Sequence, residues 1–492
     1  MSGRRRRSHG TSAGRRLVTG ALLLAVASVL LLPVSRGVEV ARVGPEGSAP
    51  PGRVYVPRAA ADGSAPGVVV AHGFAGSAAL MHTWSLALAH AGFVVVAPDL
   101  PGHGAAPAGP DDGADALMRA VLAATDRLVT VPAVDPVRLG LLGHSIGSGA
   151  VLDAAIAQPE RFAAVVAVSP TDAAVGPTAP RDLLLLAGEN ESRFVANAES
   201  LLERAGGERG GPGDGDARAL TIIPIVEHVS ILFSRSAHDA SIAWLATALG
   251  HVPTGEVPVG PLAGWLLLAV GILLVWQALA LKTATPAGAP SMRAAPWLAL
   301  PVGGVAATAS LVIIARSIDV PGRSGLLVAG EVALWFLMTG AVWLRFGVRP
   351  ARPEPRDVGW ALLATAVLVA VGASTTLAWS PWWIGGVRAG AAVALSLLLV
   401  PFMVAAACIV HGRRGPSVLV AWSLTSTAVV LTLGVAAVVV PGLGFLILIL
   451  PLVPAVLGAT TAAAVAVDRP WASGVAGAVF TGCLLASIFP LA

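Results

Sequence analysis

Charge is scarce in this chain and lysine almost missing. Only 12% of the 492 residues are Asp, Glu, Lys or Arg, against about 25% in a soluble domain, and Lys282 is the one lysine among 32 basic residues. Low charge beside 55% hydrophobic residues excludes a disordered chain and a purely nucleic-acid-binding protein. No Gly-Lys-Ser/Thr phosphate loop is present, and no cluster of residues has the spacing of a metal site, so neither cofactor nor metal is implied. Cysteine is limited to Cys408 and Cys483, both within long apolar runs, so no disulfide can brace the polar part of the chain. Arginine in place of lysine, with abundant alanine and glycine, is the codon signature of a GC-rich genome and points to a bacterial source.

The acids are distributed unevenly. Of 28, 23 lie between Arg36 and Glu256, with 14 of the bases, so this segment carries −9 while the flanks carry +13. The net +4 of the whole chain is an average over an acidic, soluble-looking segment and a basic, very apolar one, and it says nothing about an acidic partner.

The apolar part reads as membrane spans. Arg4 to Arg7, Arg15 and Arg16 form a basic segment (1–16) ahead of an apolar run over 17–34, the pattern of a signal peptide or a signal anchor; no small-x-small cleavage site follows, which favours an uncleaved anchor. From 258 to 492 eight further spans are expected, at roughly 260–281, 297–315, 325–344, 360–379, 387–410, 417–440, 443–467 and 473–491. Pro441, Pro451 and Pro454 make the run from Pro416 to Val467 the hardest to divide. With the N-terminus inside, fifteen bases fall in inner segments and only Arg316, Arg323 and Arg388 in outer ones, which places residues 35–257 outside. Eleven of thirteen Trp follow residue 257, several at span ends (Trp297, Trp360, Trp379, Trp382, Trp383), as amphipathic rings at the headgroup level do. Glu331 and Gln277 fall within spans, where a polar group is costly and is a candidate for function.

Between 38 and 250 short β-branched runs alternate with helical patterns. Strands are expected at Val68 to His72, Phe93 to Asp99, Val137 to Gly143, Ala163 to Ser169, Asp182 to Ala187 and Leu220 to Val226. They are unbroken apolar runs, as in a parallel sheet buried on both faces. Helices are expected at Ala114 to Val129, Ser148 to Ala157, Arg193 to Ala205 and Ser230 to Leu249, and a flexible loop at Gly206 to Asp216. The alternation implies an α/β layer fold with its chemistry at the C-terminal ends of the strands.

The sharpest signal is Gly143-His144-Ser145-Ile146-Gly147, between a strand and a helix. A serine on so tight a turn has a strained backbone, side chains at the flanking positions would clash, and the turn lifts the hydroxyl into solvent at a helix N-terminus. Two more loops follow strands: His72-Gly73-Phe74, and Ala97-Pro98-Asp99-Leu100-Pro101-Gly102-His103-Gly104. Over roughly residues 52–250 the sequence resembles the α/β-hydrolase family, of the serine-esterase, dienelactone-hydrolase-like kind. That resemblance implies Ser145 as nucleophile and the backbone N–H groups of Phe74 and Ile146 as an oxyanion hole. His72 and His103 are expected to be structural loop residues.

A nucleophilic serine needs a base and an orienting acid, in the chain order Ser, acid, His. The acid is sought in Gly188-Glu189-Asn190-Glu191; the family's usual aspartate position maps to Glu191, with Glu189 as rival. The base is His228, at the end of the last strand; His238, ten residues on, is expected on a helix face. Thr171 to Arg181 is too short for a lid, so an open site flanked by Phe74, Leu80, Met81 and Ile146 is expected, suited to a bulky or extended acyl substrate, a small molecule or lipid-derived ester, beside membrane lipid. The function expected is a membrane-anchored serine hydrolase of ester or related acyl bonds. The alternatives are a transporter or scaffold whose hydrolase-like segment only binds, and an acyltransferase using the same acyl-enzyme.

Overall fold

A computed structural model of the chain describes residues 2–32, 34, 36–107, 113–255, 261–293, 295–318, 325–376 and 386–491. Arg323, Trp379, Trp382 and Trp383 lie outside the described residues. The chain divides into two units, one built on residues 31–262 and the other on the apolar helices that flank that segment in sequence.

The first unit is an eight-stranded sheet of order β1-β2-β4-β3-β5-β6-β7-β8. Its strands are β1 (Val38–Val43), β2 (Gly52–Pro57), β3 (Ala65–Ala71), β4 (Val94–Pro98), β5 (Val134–His144), β6 (Ala164–Val168), β7 (Leu183–Gly188) and β8 (Arg218–Ile223). β3 to β8 run parallel, while β1 and β2 are antiparallel to their neighbours. After α1 (Ser2–Leu31), which belongs to the other unit, come α2 (His82–His90), α3 (Gly113–Val129), α4 (Ile146–Ala157), α5 (Ser192–Arg204) and α6 (Arg235–Ala248). Alternate side chains of the inner strands feed two cores. Val69, Val96, Leu141 and Val165 pack with Val121 of α3, Val151 of α4 and Leu201 of α5. Val68, Val95, Leu142 and Val166 pack with Trp84 of α2 and Leu245 of α6 on the opposite face.

All six expected strands are present, but β8 ends at Ile223 rather than Val226. β1, β2 and α2 are additions. β1 is an edge strand with most of its side chains exposed, and α2 is a nine-residue helix with six residues buried, so neither carries a two-faced pattern over enough length to read. The helix expected over Ser230 to Leu249 is a 3₁₀ turn (Ser230–Phe233) followed by α6, whose N-cap Ser234 accepts from the Ala237 amide. The segment expected to be a flexible loop is tied down: Asp182 accepts the Gly213 and Ala217 amides at 2.6 and 3.0 Å, and Arg209 pairs backbone to backbone with Arg218.

In the second unit the described residues include nine helices long and apolar enough to cross a membrane: Ala13–Leu31, Leu262–Leu281, Ala299–Ser317, Leu327–Phe346, Pro355–Ala373, Arg388–Val410, Pro416–Val439, Leu446–Val467 and Pro470–Ile488. Each expected span has its helix. The last begins at Pro470, a favoured first helical residue, rather than at 473. The eighth is broken into Leu446–Ile449, a 3₁₀ turn at Leu450–Leu452 and Val453–Val467, where Pro451 and Pro454 interrupt the hydrogen-bond ladder. Gln277 ties helices together, since its Oε1 accepts from Arg16 at 2.7 Å and its Nε2 donates to the Ala462 carbonyl at 3.0 Å.

Candidate active site

β5 runs straight into α4 through Ser145, whose backbone sits at φ 54°, ψ −123°. A non-glycine residue there is strained and must be over-determined by its surroundings. The flanking glycines show how. A Cβ on Gly143 would stand 2.2 Å from the Gly147 carbonyl oxygen, and one on Gly147 would stand 2.5 Å from the carbonyl of His72 and 2.6 Å from that of Ala71. The turn is fixed further by the Ser145 amide donating to Val168 at 2.9 Å and by the Ser148 hydroxyl donating to the Ser145 carbonyl at 2.5 Å. Ser145 as a whole residue is 7% exposed.

The loops after β3 and β4 are held by buried polar groups. His72 donates from Nδ1 to Gly73 O at 2.8 Å and accepts the Leu100 amide on Nε2 at 2.9 Å, a pattern only a neutral ring can make. Burial lowers its pKa to about 4. Asp99 accepts the amides of Ala78 and Ala105, and a Cβ on Gly104 would stand 2.3 Å from its carboxylate. His103 donates from Nδ1 to the Pro101 carbonyl of its own loop at 2.9 Å. Both histidines are structural, as expected. So is His238, which contacts Leu232 O at 3.0 Å and the Trp84 ring, with burial lowering its pKa to about 4.

Glu191 and His228 meet at 2.8 Å, Oε2 to Nδ1, both almost fully buried. Glu191 is the N-cap residue of α5, just beyond β7, and its other oxygen accepts the Gly188 amide at 2.5 Å and the Ser169 hydroxyl at 2.7 Å. Two donors on Oε1 leave Oε2 to face the imidazole. Glu189 is elsewhere: it is exposed and its Oε2 accepts the Ile225 amide at 2.9 Å. His228 lies five residues past β8, on a turn shaped by Ile225 at φ 67° and by Glu227, which accepts the Val229 and Ser230 amides.

Ser145 adjoins this pair without bonding to it. The ring of its neighbour His144 lies 4.6 Å from that of His228, and His144 Nε2 donates to the His228 carbonyl at 3.0 Å. A Cβ on Gly73 would stand 3.1 Å from Ser145 Cβ, so the loop after β3 passes directly beside the serine. Phe74 follows on that loop, and Ile146 is the first residue of α4, where an amide has no acceptor within its helix. The expected pocket needs correction at Met81. It is 1% exposed and packs in the core with Trp84 and Leu88, so it presents no surface to a substrate; Leu80 is half-buried against that core. Ser169, His144 and Phe194, which stacks on His228, were not singled out by sequence. Ser169 could have been, as the polar residue that closes an otherwise apolar strand. Among the described residues no group of three or more His, Cys, Asp or Glu is placed to hold a metal ion.

Residues 66–207 match the family profile described as the alpha/beta hydrolase fold. The first unit is an α/β-hydrolase fold. Solved structures similar to it include an S-formylglutathione hydrolase from Agrobacterium tumefaciens (18% identity, 43% of this chain and 95% of that one, TM-score 0.33) and a dienelactone hydrolase from Anabaena variabilis (21%, 44% and 100%, 0.33). A hormone-sensitive lipase from a metagenome library is another (18%, 46% and 91%, 0.33). No curated protein matches the chain significantly. The α/β-hydrolase unit ends at the strand tips where Ser145, Glu191 and His228 lie, the end of a parallel sheet at which loops build sites.

Proposed function

We propose that the chain is a membrane-anchored serine hydrolase of carboxylic esters or related acyl bonds. The observation that carries this reading is the strained, positive-φ Ser145 between β5 and α4 beside a buried Glu191–His228 pair at the same sheet end. In the first half-reaction Ser145 Oγ attacks the acyl carbon and its proton passes to His228 Nε2. Glu191 holds the Nδ1–H and stabilises the imidazolium. The tetrahedral oxyanion is received by the Phe74 and Ile146 amides, collapses, and expels an alcohol that takes the proton from Nε2. Water then attacks the acyl-enzyme, giving its proton to Nε2 and on to Ser145. The serine hydroxyl is not hydrogen-bonded to His228 in the structure, and catalytic contacts of this kind commonly tighten only when substrate binds.

The fifteen-to-three bias of basic residues supports placing the α/β-hydrolase unit on the extracytoplasmic side, where outer-leaflet lipid esters are a ready substrate. A fluorophosphonate probe tests the chemistry: wild type is expected to label and Ser145→Ala is not, and an unlabelled wild type or an equally labelled variant overturns it. A phosphatase fusion at residue 252 tests the side, with an active fusion expected.

A further inference from the structure

The imidazole of His228 is bonded along one edge, stacked on one face and flanked by a second imidazole. Glu191 takes its Nδ1–H at 2.8 Å. Phe194 lies over one face, 4.1 Å between centroids with an interplanar angle of 20°. His144 lies on another side at 4.6 Å and 42°, and holds the backbone carbonyl. The Phe194 ring is placed by the same turn that places the acid, since its amide donates to the Glu191 carbonyl at 2.8 Å in the first turn of α5. One short segment thus delivers both a carboxylate to the edge of the base and an aromatic face to its plane.

We propose that Phe194 is a positioning residue for His228, whose ring face fixes the plane of the imidazole and favours its protonated form when Ser145 gives up its proton. This deepens the hydrolase reading and rests on it. A neutral imidazole gains only dispersion from such a stack, whereas an imidazolium is also attracted to the negative face of the ring. The other groups facing His228 act consistently. Glu191 favours the cation. His144 does not oppose it, because burial and the neighbouring His228 hold its pKa well below the usual histidine range, so it stays neutral. Glu227, on the base's own loop, is occupied by the Val229 and Ser230 amides.

The sign of the test follows. The base works when neutral, so the acidic limb of the rate profile reports its pKa, and a group that favours the cation holds that limb at higher pH. Removing the π face moves the midpoint to lower pH, by about 0.4–0.7 unit for a contact of ordinary cation–π strength. The experiment uses the full chain in lipid nanodiscs and measures the rate of fluorophosphonate labelling against pH for wild type, Phe194→Leu, Phe194→Met and Phe194→Trp. Leu and Met are expected to lower the midpoint and to slow labelling at the plateau by about tenfold, an effect of the size that misplacing a catalytic group produces, while Trp restores the midpoint. A slower plateau with an unmoved midpoint for both Leu and Met means packing alone and overturns the proposal. In parallel, the His228 resonance in ¹³Cε1-histidine-labelled protein, assigned with His228→Gln, gives its pKa without any chemistry. A shifted resonance in a protein that never labels keeps the electrostatic role of Phe194 and rejects the hydrolase reading; an unshifted one rejects the role itself.

Discussion

At Gly143 and Gly147 a methyl group would strike backbone of the same turn or of the adjoining loop. At Gly340, Gly474 and Gly482 it would strike the backbone of another helix: 2.2 Å from Phe402 N, 2.6 Å from Val404 Cα and 2.7 Å from Ser396 N, respectively. In the α/β-hydrolase unit glycine lets one non-glycine residue, Ser145, hold a costly conformation. In the helical unit it lets helices approach closely enough for their backbones to pack by dispersion. Charge divides in the same way. The α/β-hydrolase unit wears most of its ion pairs on the surface and buries one acid–base pair, Glu191 with His228. The helical unit has few acids, and three of them sit where helices end: Glu354 and Asp357 on the buried Arg469 at 2.5 and 2.6 Å, and Asp468 on Arg414 at 3.0 Å. Close-packed glycine serves a strained turn in one unit and helix contacts in the other, and the buried acid–base pairs lie at the candidate site in one and at helix ends in the other.

The largest effect that can test this division is at the strained serine. Ser145→Ala should abolish fluorophosphonate labelling and lower turnover of a short-chain nitrophenyl ester by about 10³-fold or more, since triad members act as a unit. Glu191→Gln should follow, with a loss of about 10²–10⁴-fold as the imidazole loses the partner that sets its tautomer. Retained turnover in either would mean that the buried pair is architectural, like those of the helical unit.

A paired test sets glycine against glycine. Gly147→Ala should cut the labelling rate by about tenfold and cost about 1–3 kcal/mol, because its methyl meets two carbonyls that cannot move without shifting β3. Gly474→Leu should lower the thermal stability of the helical unit by a comparable amount yet leave the labelling rate of the folded fraction unchanged. Coupled losses from Gly474→Leu would show that the site depends on helix packing.

Much of the architecture could be read from the chain because two patterns carry it without tertiary context. A strand buried on both faces must be apolar throughout, which is why β3, β4, β6 and β7 stood out and the exposed β1 did not. A helix that crosses a bilayer must be apolar for about 20 residues, which marks the spans. The candidates Ser145, Glu191 and His228 could be singled out because each follows a strand that reads as an apolar run. What holds them was not. Ser169 reaches Glu191 across 22 positions and His144 reaches the carbonyl of His228 across 84, contacts made by the sheet's order rather than by spacing in sequence. The buried Met81 was misjudged for the same reason, since exposure is a property of the packed molecule.

Acid should separate the units more gently. Burial lowers the pKa of His72 and His238 to about 4, below the 6.5 of the unfolded chain. The unfolded state therefore binds more protons between these values, and stability that is intact above pH 6.5 drains as pH falls toward 4, by about 1–3 kcal/mol per histidine. Amide hydrogen exchange should quicken across β3 to β7 over that window and not across the helices of the second unit; equal quickening in both would contradict the assignment.

The smallest expected effect decides between two neighbouring acids. Glu189 and Glu191 differ by two positions on one turn, yet Glu189 is exposed and caps the Ile225 amide while Glu191 is buried on His228. Glu189→Gln keeps an oxygen that can accept from Ile225, so turnover should stay within about threefold of wild type, the range expected for a surface change of roughly 0.5 kcal/mol. The same substitution at Glu191 leaves a neutral amide where the imidazolium needs a charge. If Glu189→Gln proved the more damaging of the two, Oε2 of Glu191 would be holding a structural histidine, and the acid of the site would have to reach His228 through a rearrangement of the turn after β8.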